Sequence, residues 1–197
     1  SPAARPRAAA LNQLLRWARR PEKLYYQPPA EPEPRAISLE ELGRLCESVS
    51  EDKRTLFRVA FATGARAGEL FAPWFGPFSQ GGHDYVRISK QWVFERGVFG
   101  PRKWGKQATP RLVPELRAAV RSWVPLPELR STHRSDWVRE AAAKAGLGDL
   151  TFHNFRHSYA RYWSEKGASL TELSLWLGDN YNVVEKYYRG WQLNLAG

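Results

Sequence analysis

Between residues 21 and 35 the chain reads PEKLYYQPPAEPEPR, and five prolines in that span exclude a continuous helix or a sheet-interior strand. An extended linker is therefore expected over residues 21–36, dividing the 197-residue chain into two unequal parts. Before it stands one amphipathic stretch, residues 9–20, AALNQLLRWARR, with Leu11, Leu14, Leu15 and Ala18 on a single stripe. One helix cannot bury such a stripe alone, so residues 1–20 are expected to be the end of an N-terminal domain that is otherwise cut away. The sequence starts at Ser1 and contains no Met, which fits an internal fragment. Residues 37–197 are long enough for one domain with its own core.

That larger part opens on a helix-start signal. Ser38 and Glu41 have the spacing of a capping box, and Ile37 and Leu42 are placed to close a hydrophobic staple. Leu39, Leu42, Leu45, Cys46 and Val49 then supply a buried stripe. Further helices are expected over about 53–62, from Ala65, and over 115–124, 135–145, 153–166, 170–177 and 182–188. Residues 85–95, YVRISKQWVFE, alternate as a strand does, and RLVP at 111–114 reads as a second short strand. The intervening RGVFGPRKWGKQATP becomes a hairpin loop rich in Gly and cations. The fold class is α+β, mostly helical, with one small antiparallel sheet.

Charge narrows the partner. Lys and Arg number 30 against 20 Asp and Glu, a net charge of +10, which points to a polyanion and to nucleic acid before an acidic membrane surface. Cys46 is the single cysteine, so neither a disulfide framework nor a thiolate metal site can form within the chain. No apolar run approaches a membrane span and no signal peptide is evident, so a soluble, intracellular protein is expected.

Four separated stretches carry chemistry. In FATGARAGEL, residues 61–70, Arg66 at a helix start can aim its planar fork at a phosphate, with Glu69 one turn on to orient it; an ordinary surface ion pair is the plainer alternative. On the hairpin loop, Lys106 suits a mobile proton donor or a backbone contact, with Lys103 as its neighbouring competitor. In TFHNFRHSYARYW, residues 151–163, His153, Arg156 and His157 share a helix face. Two histidines four apart could chelate zinc, but Asn154 stands where a zinc protease needs Glu; a satisfied core histidine with a surface pair ranks above zinc, and anion clamping is the best single expectation. In WLGDNYNVVEKYYRG, residues 176–190, Val183, Val184 and Tyr187 can anchor a short helix presenting Tyr188.

In order and spacing, Arg within ATGxRxxEL, Lys before RxVP, HxxRH, and LGx nine residues before Tyr together resemble the catalytic domain of the tyrosine recombinases and phage-type integrases. The resemblance covers about residues 36–190 and makes residues 1–20 the end of a core-binding domain. It implies a tyrosine-recombinase catalytic fold and a site-specific recombinase that cleaves and rejoins double-stranded DNA through a 3′-phosphotyrosine. It implies no metal, no ATP and no other cofactor.

By position, the resemblance makes Tyr188 the nucleophile and puts Arg66 and Arg156 on the non-bridging oxygens. It makes Lys106 the donor to the departing 5′ oxygen and His153 an aid to proton transfer, with Glu69 and His157 in support. Lys103 and Arg111 would contact nucleic acid. Family members assemble as a synaptic dimer or tetramer on DNA, which places this chain in a prokaryotic cytoplasm, at the nucleoid. One residue departs: Asp179 stands where the family usually has His or Trp. A carboxylate there repels a phosphate unless it is protonated or turned toward Arg66 or Arg156. A type IB topoisomerase-like relaxing enzyme and a non-catalytic DNA-binding relative are the alternatives.

Overall fold

A computed structural model describes residues 34–197 except 73–75, 103–104, 126–133 and 194–197, together with positions 10, 13 and 14. Apart from these three positions, the expected helix over 9–20 and the linker through residue 33 lie outside the described residues, as does Lys103.

Ser38 starts helix α1 (Leu39–Glu47) as its spacing requires: its hydroxyl accepts the Glu41 N–H at 3.1 Å, and the Glu41 carboxylate accepts the Ser38 N–H at 2.9 Å. Ile37 and Leu42 are both buried beside this start. Helix α2 (Glu51–Thr63) stops at Gly64, which adopts the left-handed conformation, and the chain turns at once into the single turn of α3 (Ala67–Leu70).

An extended stretch follows, and here the structure differs from the expected single strand. β1 (Gly76–Gln80) pairs antiparallel with β2 (His83–Arg87) across a two-residue Gly81-Gly82 turn. Past Ile88 the chain changes partners, and β3 (Lys90–Val93) pairs with β4 (Val98–Pro101). The described residues thus hold two two-stranded sheets rather than one. RLVP is not a strand. Arg111 makes one bridge to Tyr85, and Pro114 then opens a 3-10 turn, Pro114–Leu116, because a residue without an N–H cannot continue a ladder.

Helices α4 (Arg117–Arg121), α5 (Arg134–Lys144), α6 (Phe152–Glu165), α7 (Leu170–Leu177) and α8 (Tyr181–Leu193) complete the fold. Helix α6 is central, packing on α2 and on α8. Phe57 of α2 meets Phe152 and Phe155 of α6 at ring-centroid distances of 6.1 and 5.3 Å. Each such fully buried ring contributes about 1.5–3 kcal/mol. Asn154, which breaks the zinc pattern, has a structural use here, since its Oδ1 accepts the Thr151 N–H at 2.6 Å and caps α6. Residues 34–197 form one compact unit. No helix among the described residues is long and apolar enough to cross a membrane.

Candidate active site

Two helix ends and two helix faces meet around α6. Arg156 sits on its inner face, 2% exposed, and donates to the Gly64 carbonyl at 2.7 Å and the Leu177 carbonyl at 2.9 Å. These oxygens are the loose ends of α2 and α7, and a cation at a helix C-terminus satisfies both hydrogen bonding and the dipole. Gly64 is needed for this approach: a Cβ there would lie 2.8 Å from the Tyr159 ring and 2.9 Å from Leu177.

Arg66, at the start of α3, meets Glu69 twice: Nη1 donates to Oε1 at 3.0 Å, and the backbone N–H donates to Oε2 at 2.9 Å. Glu69 is fully buried, which a carboxylate tolerates only with strong partners. Arg102 is the third partner, its Nε donating to Oε1 at 2.8 Å.

Asp179 lies between the first two arginines. Its Oδ2 accepts from Arg156 Nη2 at 2.6 Å, and its Oδ1 accepts from Arg66 Nη2. Its backbone is held as well, because Ser174 Oγ donates to the Asp179 carbonyl at 2.9 Å. Burial alone would push the Asp179 carboxyl up; Arg156, Arg66 and Arg102 outweigh it and hold the group below the ordinary carboxylate range. Burial also pulls at the Arg156 guanidinium, but Asp179 and Glu69 keep its pKa above the usual value. Three guanidinium groups therefore face two carboxylates. A net positive charge remains.

Tyr188 lies midway along α8, 3% exposed and stacked on Trp191 at 5.1 Å. Its hydroxyl lies 3.1 Å from His157 Nδ1. Burial raises its pKa to about 12, against the pull of Arg156 and Arg66 and with a push from Asp179. Burial, with His153 and Arg156 adding, lowers His157 to about 4, so its ring is neutral at pH 7. His153 is exposed, edge-on to His157 at 4.6 Å. An open cleft of about 260 Å³ lies beside His153, lined by Arg66, Arg156, Thr151 and Ser135 among others.

Arg66, Glu69, His153, Arg156, His157, Asp179 and Tyr188, expected from sequence, are therefore brought together. Lys106 is exposed on its loop, with its carbonyl tied to Arg102. Arg111 lies elsewhere, its guanidinium 4.4 Å over the Trp163 ring and 2.9 Å from His83 Nδ1. Arg102 was missed. Nothing local in GPRKWGK separates a buried arginine from a solvated one, because besides the Lys106 carbonyl its partners lie 33 and 75 residues away.

No protein-family model and no curated protein sequence matches the chain. Solved structures do. XerH site-specific recombinase bound to palindromic difH substrate, a post-cleavage complex, is 19% identical with a TM-score of 0.56, covering 82% of this chain and 51% of its own. Tn1549 transposon integrase in complex with transposon right end DNA is 13% identical with a TM-score of 0.64, covering 96% and 78%. The catalytic domain of bacteriophage HP1 integrase is 20% identical with a TM-score of 0.52, covering 78% and 86%. The chain spans about half the length of XerH. Identities this low speak for architecture, and the chain has the fold of the tyrosine recombinase and phage-type integrase catalytic domain.

Proposed function

We propose that this chain cleaves and rejoins DNA as a site-specific recombinase, with Tyr188 as its nucleophile. One observation carries the reading: the Asp179 carboxylate bridges Arg66 and Arg156, and Arg156 adjoins His157, whose Nδ1 lies 3.1 Å from the Tyr188 hydroxyl. Two oxygens sharing one negative charge, gripped by two guanidinium forks, have the form of the two non-bridging oxygens of a phosphodiester. The scissile phosphate takes that place when Asp179 swings out. As Tyr188 Oη bonds to phosphorus, the P–O5′ bond breaks and Lys106 gives its proton to the departing 5′ oxygen. The phenol proton passes to the His157 ring, whose Nδ1 is 3.1 Å away, with His153 edge-on behind it. Positive charge fixed in advance lowers the barrier to the five-coordinate state. One ester is exchanged for another, so rejoining needs no ATP.

The XerH and Tn1549 structures hold DNA, which supports DNA as the partner here. Exchange between two sites calls for a synaptic dimer or tetramer on that DNA, at the nucleoid of a prokaryotic cell. The test uses a pool of nicked duplexes randomised around the nick. A detergent-resistant protein–DNA adduct should form, persist in excess EDTA, and vanish in Tyr188→Phe.

A second reading has its own observation, since Asp179 fills the arginine pair and Tyr188 is buried. A non-catalytic DNA-binding relative would bind the same duplexes and give no adduct under any condition.

A further inference from the structure

Arg102 has no place in the reaction as set out, yet it touches Lys106 and two groups that hold the arginine pair, Glu69 and the Leu177 carbonyl. Its side chain has 0% exposure, and its donors go to Glu69 Oε1 at 2.8 Å, the Lys106 carbonyl at 2.6 Å and the Leu177 carbonyl at 3.0 Å. Its own carbonyl accepts the Gly105 N–H at 2.9 Å, so main chain and side chain of one residue shape the Lys106 loop together. On the far side, Ile88 and Ala108 exchange backbone hydrogen bonds of 3.0 and 3.1 Å and fix where the loop rejoins the sheet. Gly178 seals the packing, since a Cβ there would stand 2.3 Å from Arg102 Nη1.

A guanidinium is costly to bury unless its donors are met. Burial draws the pKa of Arg102 down, and Glu69 pulls it back. Lysine would keep the charge but could not reach three acceptors with a planar fork. We propose that Arg102 is a positioning residue that sets Lys106 against the departing 5′ oxygen. It ties that lysine to Arg66 through Glu69, and to Arg156 through the Leu177 carbonyl both arginines share. The inference rests on the reading in which Lys106 is the proton donor. Arg102 exchanges no atom and no proton; it fixes where the Lys106 ammonium starts from.

The experiment uses the nicked pool in two forms, one with ordinary phosphodiesters and one with sulfur in place of the bridging 5′ oxygen. A thiolate departs without a proton, its conjugate acid having a pKa of about 8.5. On the oxygen substrate Lys106→Ala and Arg102→Gln should both be slower than the unmodified chain by on the order of 10²-fold. Both should recover to within about tenfold of it on the sulfur substrate, with Arg102→Lys between, and Arg66→Ala should show no recovery. Two results overturn the proposal: Arg102→Gln cleaving the oxygen substrate at the unmodified rate, or remaining slow on sulfur while Lys106→Ala recovers. Circular-dichroism melting establishes that Arg102→Gln folds; if it does not, Arg102→Lys is judged by the same two criteria. Should the unmodified chain form no adduct with either substrate, the reaction reading itself fails and the inference falls with it.

Discussion

Asp179 is a carboxylate that gives both arginines of the pair a shared partner. Removing one member of a buried ion pair leaves the other uncompensated, so Asp179→Asn should cost about 1–3 kcal/mol of stability. It should also remove the negative charge that competes with a phosphate for the two guanidinium groups. Adduct formation should therefore rise on the order of tenfold in Asp179→Asn and further in Asp179→His, which adds a donor. Urea midpoints and single-turnover adduct rates measure the two effects. A rate unchanged or lower in both variants would mean that Asp179 does not stand in the phosphate's place. His157 gives a second prediction, in pH. Its folded pKa is about 4 against an ordinary 6.5, so between those values the unfolded chain binds a proton that the folded chain refuses. Stability should fall as pH drops from 6.5 to 4, by about 2 kcal/mol once partial solvent access to the ring is allowed for. Urea unfolding at pH 7, 5.5 and 4.5 should show a shallower fall in His157→Gln.

At the level of elements, local chemistry made the helices legible. The Ser38 capping box and the span 170–177 agree with the sequence expectation, because cap and stripe lie within a few residues of one another, and Gly178 closes the second helix. The sheets were less legible. Gly76 and Pro77 mask β1 as a loop, and an extended run that changes partners at Ile88 has one alternation pattern but two ladders. Most of the site was readable because its residues recur at helical or motif spacing; Arg102 was not, because its burial is decided by the ends of distant helices. Gly64 joins these scales. Its φ of 60° and the 2.8 Å clearance to Tyr159 leave no room for a methyl group, and its carbonyl holds Arg156. Gly64→Ala should cost about 2–4 kcal/mol. If that strain is relieved by moving the carbonyl, adduct formation falls with it. Thermal melting and the adduct assay together decide this.

For the whole molecule, the +10 charge divides the proposed function into two measurable parts, binding DNA and cleaving it. Most phosphate contacts would come from basic residues outside the cluster, so affinity should fall linearly in log–log form as salt rises. Arg66→Ala and Arg156→Ala should abolish adduct formation and lower affinity by less than about tenfold at one salt concentration. Fluorescence anisotropy over a salt series, run beside the adduct assay, tests this, and equal loss of both properties would reduce the two arginines to electrostatic contacts. One acceptor in the cluster is of another kind. The Leu177 oxygen that takes a proton donor from Arg102 and another from Arg156 belongs to the peptide main chain, and no codon change can delete it. The side chain at 177 is free to drift through any residue that fills its space. In diverging lineages the joint would leave its trace only in the two basic partners, while the atom they share stays silent in every alignment.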